Sequence, residues 1–193
     1  EGRTAQAARY ATESLALLAK ENAGDRSILE YRCYSRRTAG IAYTRLGKTG
    51  EANRLLSGAK TDALSAFGKH SRDLGKIELA FAELWLGQSN TAKAMEAANR
   101  ALSAVLPGFQ ALKPEQNPPV TGFYEENVIF QALGLKAKIA EANFEKDGRL
   151  DWLTLALQCH DLAWQAEMRL RSIYQYSTSK LDLQGSSRAR EAS

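Results

Sequence analysis

The chain is poor in the side chains that carry most protein chemistry. Its 193 residues hold two histidines, His70 and His160, and two cysteines, Cys33 and Cys159. Two cysteines on different predicted helices build no disulfide framework. They read as small buried apolar side chains and point to a reducing compartment, so a cytoplasmic location is expected. Cys159 and His160 are adjacent, but neighbours on a helix point about 100° apart, whereas a thiol nucleophile needs its base within hydrogen-bond reach. His160 also falls where a repeat pattern described below calls for a large packing residue, so a core role is expected for it. Glu141 and Glu145 stand four apart, yet Lys138 and Lys146 flank them, and a solvated, salt-linked helix face accounts for the set. Gly47-Lys48-Thr49 lacks the upstream glycine and strand of a phosphate-binding loop. No catalytic residue, metal ligand or cofactor site is therefore expected. No apolar run approaches the roughly 18 residues of a membrane helix. Proline is scarce too: all four fall between Pro107 and Pro119, so only that stretch is barred from helix by composition.

What the chain does have is a phrase written twice. Gly2-Arg3-Thr4-Ala5-Gln6-Ala7-Ala8-Arg9 returns as Gly47-Lys48-Thr49-Gly50-Glu51-Ala52-Asn53-Arg54, 45 positions later. Ala52, Leu56 and Ala59 return as Ala94, Ala98 and Ala101 after 42 positions. A looser copy reads Ala156, His160, Ala163. Small and large residues at this spacing share one helical face and let two antiparallel helices approach closely. Periods of this length mark stacked helical hairpins, each too small to bury its own apolar face.

The periodicity predicts seven helices, near 4–22, 27–46, 50–68, 72–86, 90–106, 124–147 and 150–176. Ser27 with Glu30 suggests a capping box for the second, and Gly47, Gly87 and Gly148 suggest left-handed ends for the first helix of each hairpin. The expected organisation is one all-α domain over 1–193. It comprises a half repeat at 1–22, repeats at 27–69 and 72–106, a proline-rich connection at 107–122, a long-helix repeat at 123–176 and a polar tail at 177–193, with flexibility expected at Gly185-Ser186-Ser187. Phe109 and Val120 are expected to pack the connection across the helix ends. The chain opens on Glu1 inside half a repeat and reads as a piece of a longer protein.

Gly40, Tyr43 and Gly47 before Ala52, Leu56 and Ala59, with Leu86-Gly87 before Ala94, Ala98 and Ala101, resemble the tetratricopeptide (TPR) family over roughly 2–176. The period is longer than that family's 34 residues, and Arg36 stands where its signature tryptophan would be. The resemblance implies a right-handed superhelix whose first helices line a concave groove for a peptide or a neighbouring domain. Counted from Gly40, that groove would show Tyr34, Arg37, Ile41, Thr44 and Arg45. Counted from Ala80, it would show Leu74, Ile77, Phe81, Leu84 and Trp85, with the alternative that Phe81, Leu84 and Trp85 are inter-repeat core. Ile41 and Phe81 occupy positions that carry asparagine in carboxylate-clamping members, so no such clamp is expected. Residues 107–183, with Tyr124-Glu125-Glu126-Asn127, Ala132-Leu133, Lys136-Ala137, Phe144 to Gly148, Leu153, Ala156-Leu157, His160, Ala163, Leu170-Arg171 and Ser179-Lys180-Leu181, resemble the last TPR unit upstream of bacterial CHAT (caspase-like) domains. This implies the regulatory or sensing arm of a larger protein.

The net charge of +4 is unevenly spread: residues 1–60 carry eleven Lys/Arg against six Asp/Glu. That favours an acidic partner at the N-terminal repeats. Three readings stay open: a protein-interaction scaffold, a nucleic-acid-binding repeat using Arg32, Arg36, Arg37, Arg45 and Arg54, and a spacer or dimerisation module. RNA-reading repeats keep a column of base-reading polar residues, and none is visible.

Overall fold

The computed structural model describes residues 2–22, 24–119 and 126–191, as backbone only beyond residue 172. Seven helices account for the fold, and no strand occurs among the described residues: α1 Gly2–Leu18, α2 Arg26–Arg45, α3 Thr49–Phe67, α4 Arg72–Gly87, α5 Thr91–Val105, α6 Asn127–Asp147 and α7 Leu150–Glu191. They pair as hairpins α2/α3, α4/α5 and α6/α7, with α1 packed on α2 as the half unit. First helices also touch first helices, α2 on α4 and α4 on α6, which places these three side by side in a TPR-like stack. Among the described residues α7 packs on α6 alone of the helices, and it leaves Leu150, Leu157 and Trp164 exposed at seven-residue intervals.

Side-chain oxygens start the helices by accepting otherwise unpaired amides. Asp25 accepts from the Ser27 amide at 2.8 Å, so Asp25 caps α2, and Ser27 lies inside the helix instead of capping it. Ser71, Asn90 and Glu126 do the same for α4, α5 and α6. Gly47 and Gly148 take the left-handed conformation after α2 and α6. Gly87 does not: it is the last residue of α4, and Ser89 at φ 56° makes that turn. α7 also differs from expectation, because its backbone continues as helix past residue 176, through the segment read as a polar tail, and ends at Glu191.

The core is alanine-rich. Ala52, Ala59, Ala94, Ala98 and Ala101 are wholly buried, so the small repeat positions are hairpin and stack contacts. Gly40 shows the tolerance: a β-carbon there would lie 2.7 Å from the Leu56 side chain on α3. Cys33 and Cys159 are free and buried. Burial pushes the Cys33 thiol up to about 11, with Arg37 partly opposing the shift.

Three buried carboxylates tie the stack together. Asp62 on α3 accepts from Arg32 at 2.7 Å and Arg36 at 2.6 Å on α2. Glu78 on α4 is held by Lys60 and by Arg100 from the two flanking second helices. Glu126 pairs with Arg72. Asp62→Asn keeps the shape but removes the charge between two arginines. Because both arginines partly reach solvent, the expected loss is about 2 kcal/mol, below the ~3–5 kcal/mol for breaking a fully buried pair. Urea unfolding reads it, and a loss under about 0.5 kcal/mol would show that the arginines simply re-solvate.

The proline-rich connection, residues 106–119, is non-helical and has few partners of its own. Side chains from three helices satisfy it instead. Asn99 on α5 donates to the Pro114 carbonyl at 2.9 Å. Lys136 on α6, wholly buried, donates to the Gln116 carbonyl at 2.7 Å and to Asn99 Oδ1 at 2.8 Å. Cys159 Sγ donates to Asn117 Oδ1 at 3.4 Å. Phe109 is buried against Leu79, Leu102 and Val105 in one cluster, as its place in the connection suggests; Val120 lies outside the described residues.

Burial without a carboxylate partner lowers the Lys136 pKa from 10.5 to about 8, with weaker opposing effects of Cys159 and Glu115. The unfolded chain then binds more protons between these two values, so stability rises with pH across that window, by at most about 1.4 kcal/mol per unit. Lys136→Met loses this dependence. Urea unfolding near pH 7.5, 9 and 10 should therefore show wild type gaining on the variant as pH rises. Parallel curves would sink the assignment.

Candidate protein-binding furrow

Side by side, α2, α4 and α6 enclose a concavity of about 510 Å3. α2 contributes Arg37, Ile41 and Arg45; α4 contributes Lys76, Leu79, Ala80 and Glu83; α6 contributes Phe130, Gln131, Gly134, Leu135 and Lys138. A second concavity of about 310 Å3 lies between α1 and α2 and adds Arg3, Thr4 and Ala7. The two share Arg37, Ile41 and Arg45, so together they form one furrow running across four helices. Its floor is apolar and its flanks are basic.

Gly134 is the informative residue of that floor. An interior glycine costs a helix about 1 kcal/mol relative to alanine, so it needs a reason. Gly40, Gly58 and Gly75 have one in packing, each with a neighbour within 3.1 Å of where a β-carbon would stand. Gly134 has nothing within 4 Å. It lines the furrow, and its missing side chain leaves the floor open.

The residues expected from sequence divide. Arg37, Ile41 and Arg45 line the furrow. Tyr34 and Thr44 line neither concavity: the Tyr34 ring lies 6.1 Å from Phe67 on α3 and under the Arg37 guanidinium at 5.5 Å, and the Thr44 hydroxyl donates to the Gly40 carbonyl at 2.9 Å. The set on α4 is corrected: Leu74, Ile77, Phe81 and Leu84 are core, each less than 10% exposed. Trp85 lies on the other side of α4, under Lys93 at 4.6 Å, in a separate concavity with Ser57, Leu64 and Arg100. The furrow face of α4 is instead Lys76, Leu79, Ala80 and Glu83, which the sequence reading missed.

The signal for them was a matter of phase. The second helices repeat after 42 positions, and Gly40 moved by 42 is Ala82, not Ala80. Ala82 is wholly buried in the core cluster that holds Ala94 and Ala98. Arg37 and Ile41 moved by the same amount become Leu79 and Glu83, which do line the furrow. A two-residue slip turns a helix by about 200° and exchanges groove for core.

Among the described residues, the two cysteines and two histidines stand apart from the furrow. Cys159 is buried and directed at Asn117, where burial raises its pKa. His160 is not the buried packing residue expected; it is half exposed and 2.9 Å from Glu141. His70 is exposed, near the Ser103 carbonyl. Arg32, Arg36 and Arg37 are each committed to Asp62 or Asp73, which removes three of the five arginines a nucleic-acid surface would have used. No helix among the described residues is long and apolar enough to cross a membrane. Set against protein-family models, curated proteins and solved structures, the chain finds no match in any of the three.

Proposed function

We propose that this chain is a protein-interaction scaffold whose furrow across α1, α2, α4 and α6 takes a segment of another protein or of a neighbouring domain. The observation that carries the reading is Gly134, an interior helix glycine that no packing contact requires, set in the floor of a furrow with apolar residues below and charges at its sides. Apolar anchors flanked by arginine are the usual composition of a protein-binding surface. On the resemblance of residues 107–183 to the unit upstream of CHAT domains, the scaffold serves as the regulatory arm of a larger bacterial protein, and the segment it holds is a contact that reports or controls that protein's state.

The test is selection of peptides from a random library on the 193-residue chain, followed by affinity measurement on Gly134→Leu. Selected peptides should lose at least about tenfold in affinity, since leucine adds about four carbons to the floor. Peptides that bind the variant as tightly as wild type would remove the furrow from the function.

A further inference from the structure

The furrow's charges say what kind of segment it takes. Arg3, Arg37, Arg45, Lys76 and Lys138 line it, against Glu83 as the single acid. Arg37 is held by Asp73 at 3.1 Å. The other four basic residues meet no carboxylate within ion-pair distance among the described residues. Like charges gathered without neutralisation repel one another and cost stability, and they lower that cost when an anion arrives. Arg32, Arg36, Lys60 and Arg100, by contrast, all have buried acids to meet. Four basic residues without a carboxylate partner therefore lie along the apolar floor.

We infer that the occupant is an acidic protein segment in which carboxylates alternate with apolar side chains. This rests on the furrow reading above and adds the partner's chemistry. Ile41, Leu79, Phe130 and Leu135 form the floor, and alternate apolar side chains of an extended segment reach it while the intervening carboxylates meet the basic flanks. Helices pack about 10 Å apart, so the four that line the furrow span about 30 Å, or roughly nine extended residues. A nucleic acid meets the same charges but not the same floor. Single strands stack successive bases on several rings, and here one ring, Phe130, stands among aliphatic side chains.

Fluorescence anisotropy on the whole chain tests this with three labelled peptides of roughly ten residues, alternating leucine with glutamate, glutamine or lysine, and with an oligouridylate of similar length. The glutamate peptide should bind at least about tenfold more tightly than the glutamine peptide at about 0.05 M salt, and the gap should narrow at about 0.5 M. A Lys76→Glu, Lys138→Glu double variant that keeps its helical circular dichroism should close the gap. Equal affinity for the glutamate and glutamine peptides, both lost in Gly134→Leu, would overturn the acidic assignment and leave the furrow standing. Binding of the glutamate peptide unchanged by Gly134→Leu, or no binding by any peptide, would overturn the furrow itself. Tighter binding of the oligouridylate, abolished by the double variant, would replace the protein segment with single-stranded nucleic acid.

Discussion

Gly134→Leu is expected to make the protein more stable and unable to bind. In a helix interior leucine is favoured over glycine by roughly 0.7 kcal/mol. The site has nothing within 4 Å to obstruct the first added carbon, so little of that gain is spent on strain. For a chain of this size the melting temperature should rise by about 2 °C. Binding should fall in the same variant, because the new side chain occupies the floor that Leu79, Phe130 and Leu135 otherwise offer to a ligand. Stability and affinity moving in opposite directions separates a binding role from a structural one; a substitution that harmed the fold would lower both. Thermal unfolding and peptide titration of one preparation decide it. A fall of several degrees in melting temperature would show that Gly134 is needed by the fold, and the principal support for the furrow would be gone.

Phe81→Ala is expected to act the other way, with a large loss of stability. Phe81 is 7% exposed and belongs to the cluster that joins Ile77, Leu84, Ala94 and Ala98. Truncating a buried phenylalanine removes its transfer free energy and leaves a cavity, about 3–5 kcal/mol together. That corresponds to a drop on the order of 10 °C here. The edge of the ring borders the concavity holding Trp85 and Lys93, so partial relaxation places the loss at the lower end of the range. Urea unfolding gives the number. A loss below about 1 kcal/mol with peptide affinity reduced would restore Phe81 to the ligand-facing role that counting from Ala80 gave it, and would contradict the burial.

The contrast between these residues shows how far a sequence reading reaches. Gly134 had no distinguishing mark in the chain, since glycines at 40, 58 and 75 also stand inside helices. Only the distance from each to its neighbours separates three packing glycines from an open one. The same holds for Lys136. In sequence it is one lysine among many on an amphipathic helix, and the fold places it without a carboxylate beneath a proline-rich connection whose carbonyls need donors. Asp62 and Glu78 were equally unmarked, because an acid's burial depends on which basic residues arrive from helices 18 to 30 positions away.

By itself the sequence determined the helices, their order and their small-residue contacts. Those follow from local physics: the 3.6-residue period, the side-chain caps, the left-handed glycines after α2 and α6, and the exclusion of helix by four clustered prolines. It also held the 42-position period that puts Leu79 and Glu83 in the furrow, though reading it demanded a phase correct to one residue. Tertiary structure alone decided which residues are inside. On α4 apolar residues occupy more than one side, so hydrophobic pattern cannot say which side meets a second helix and which meets solvent. That choice is made by neighbours on α2, α3, α5 and α6, and with it which face of α4 lines the furrow.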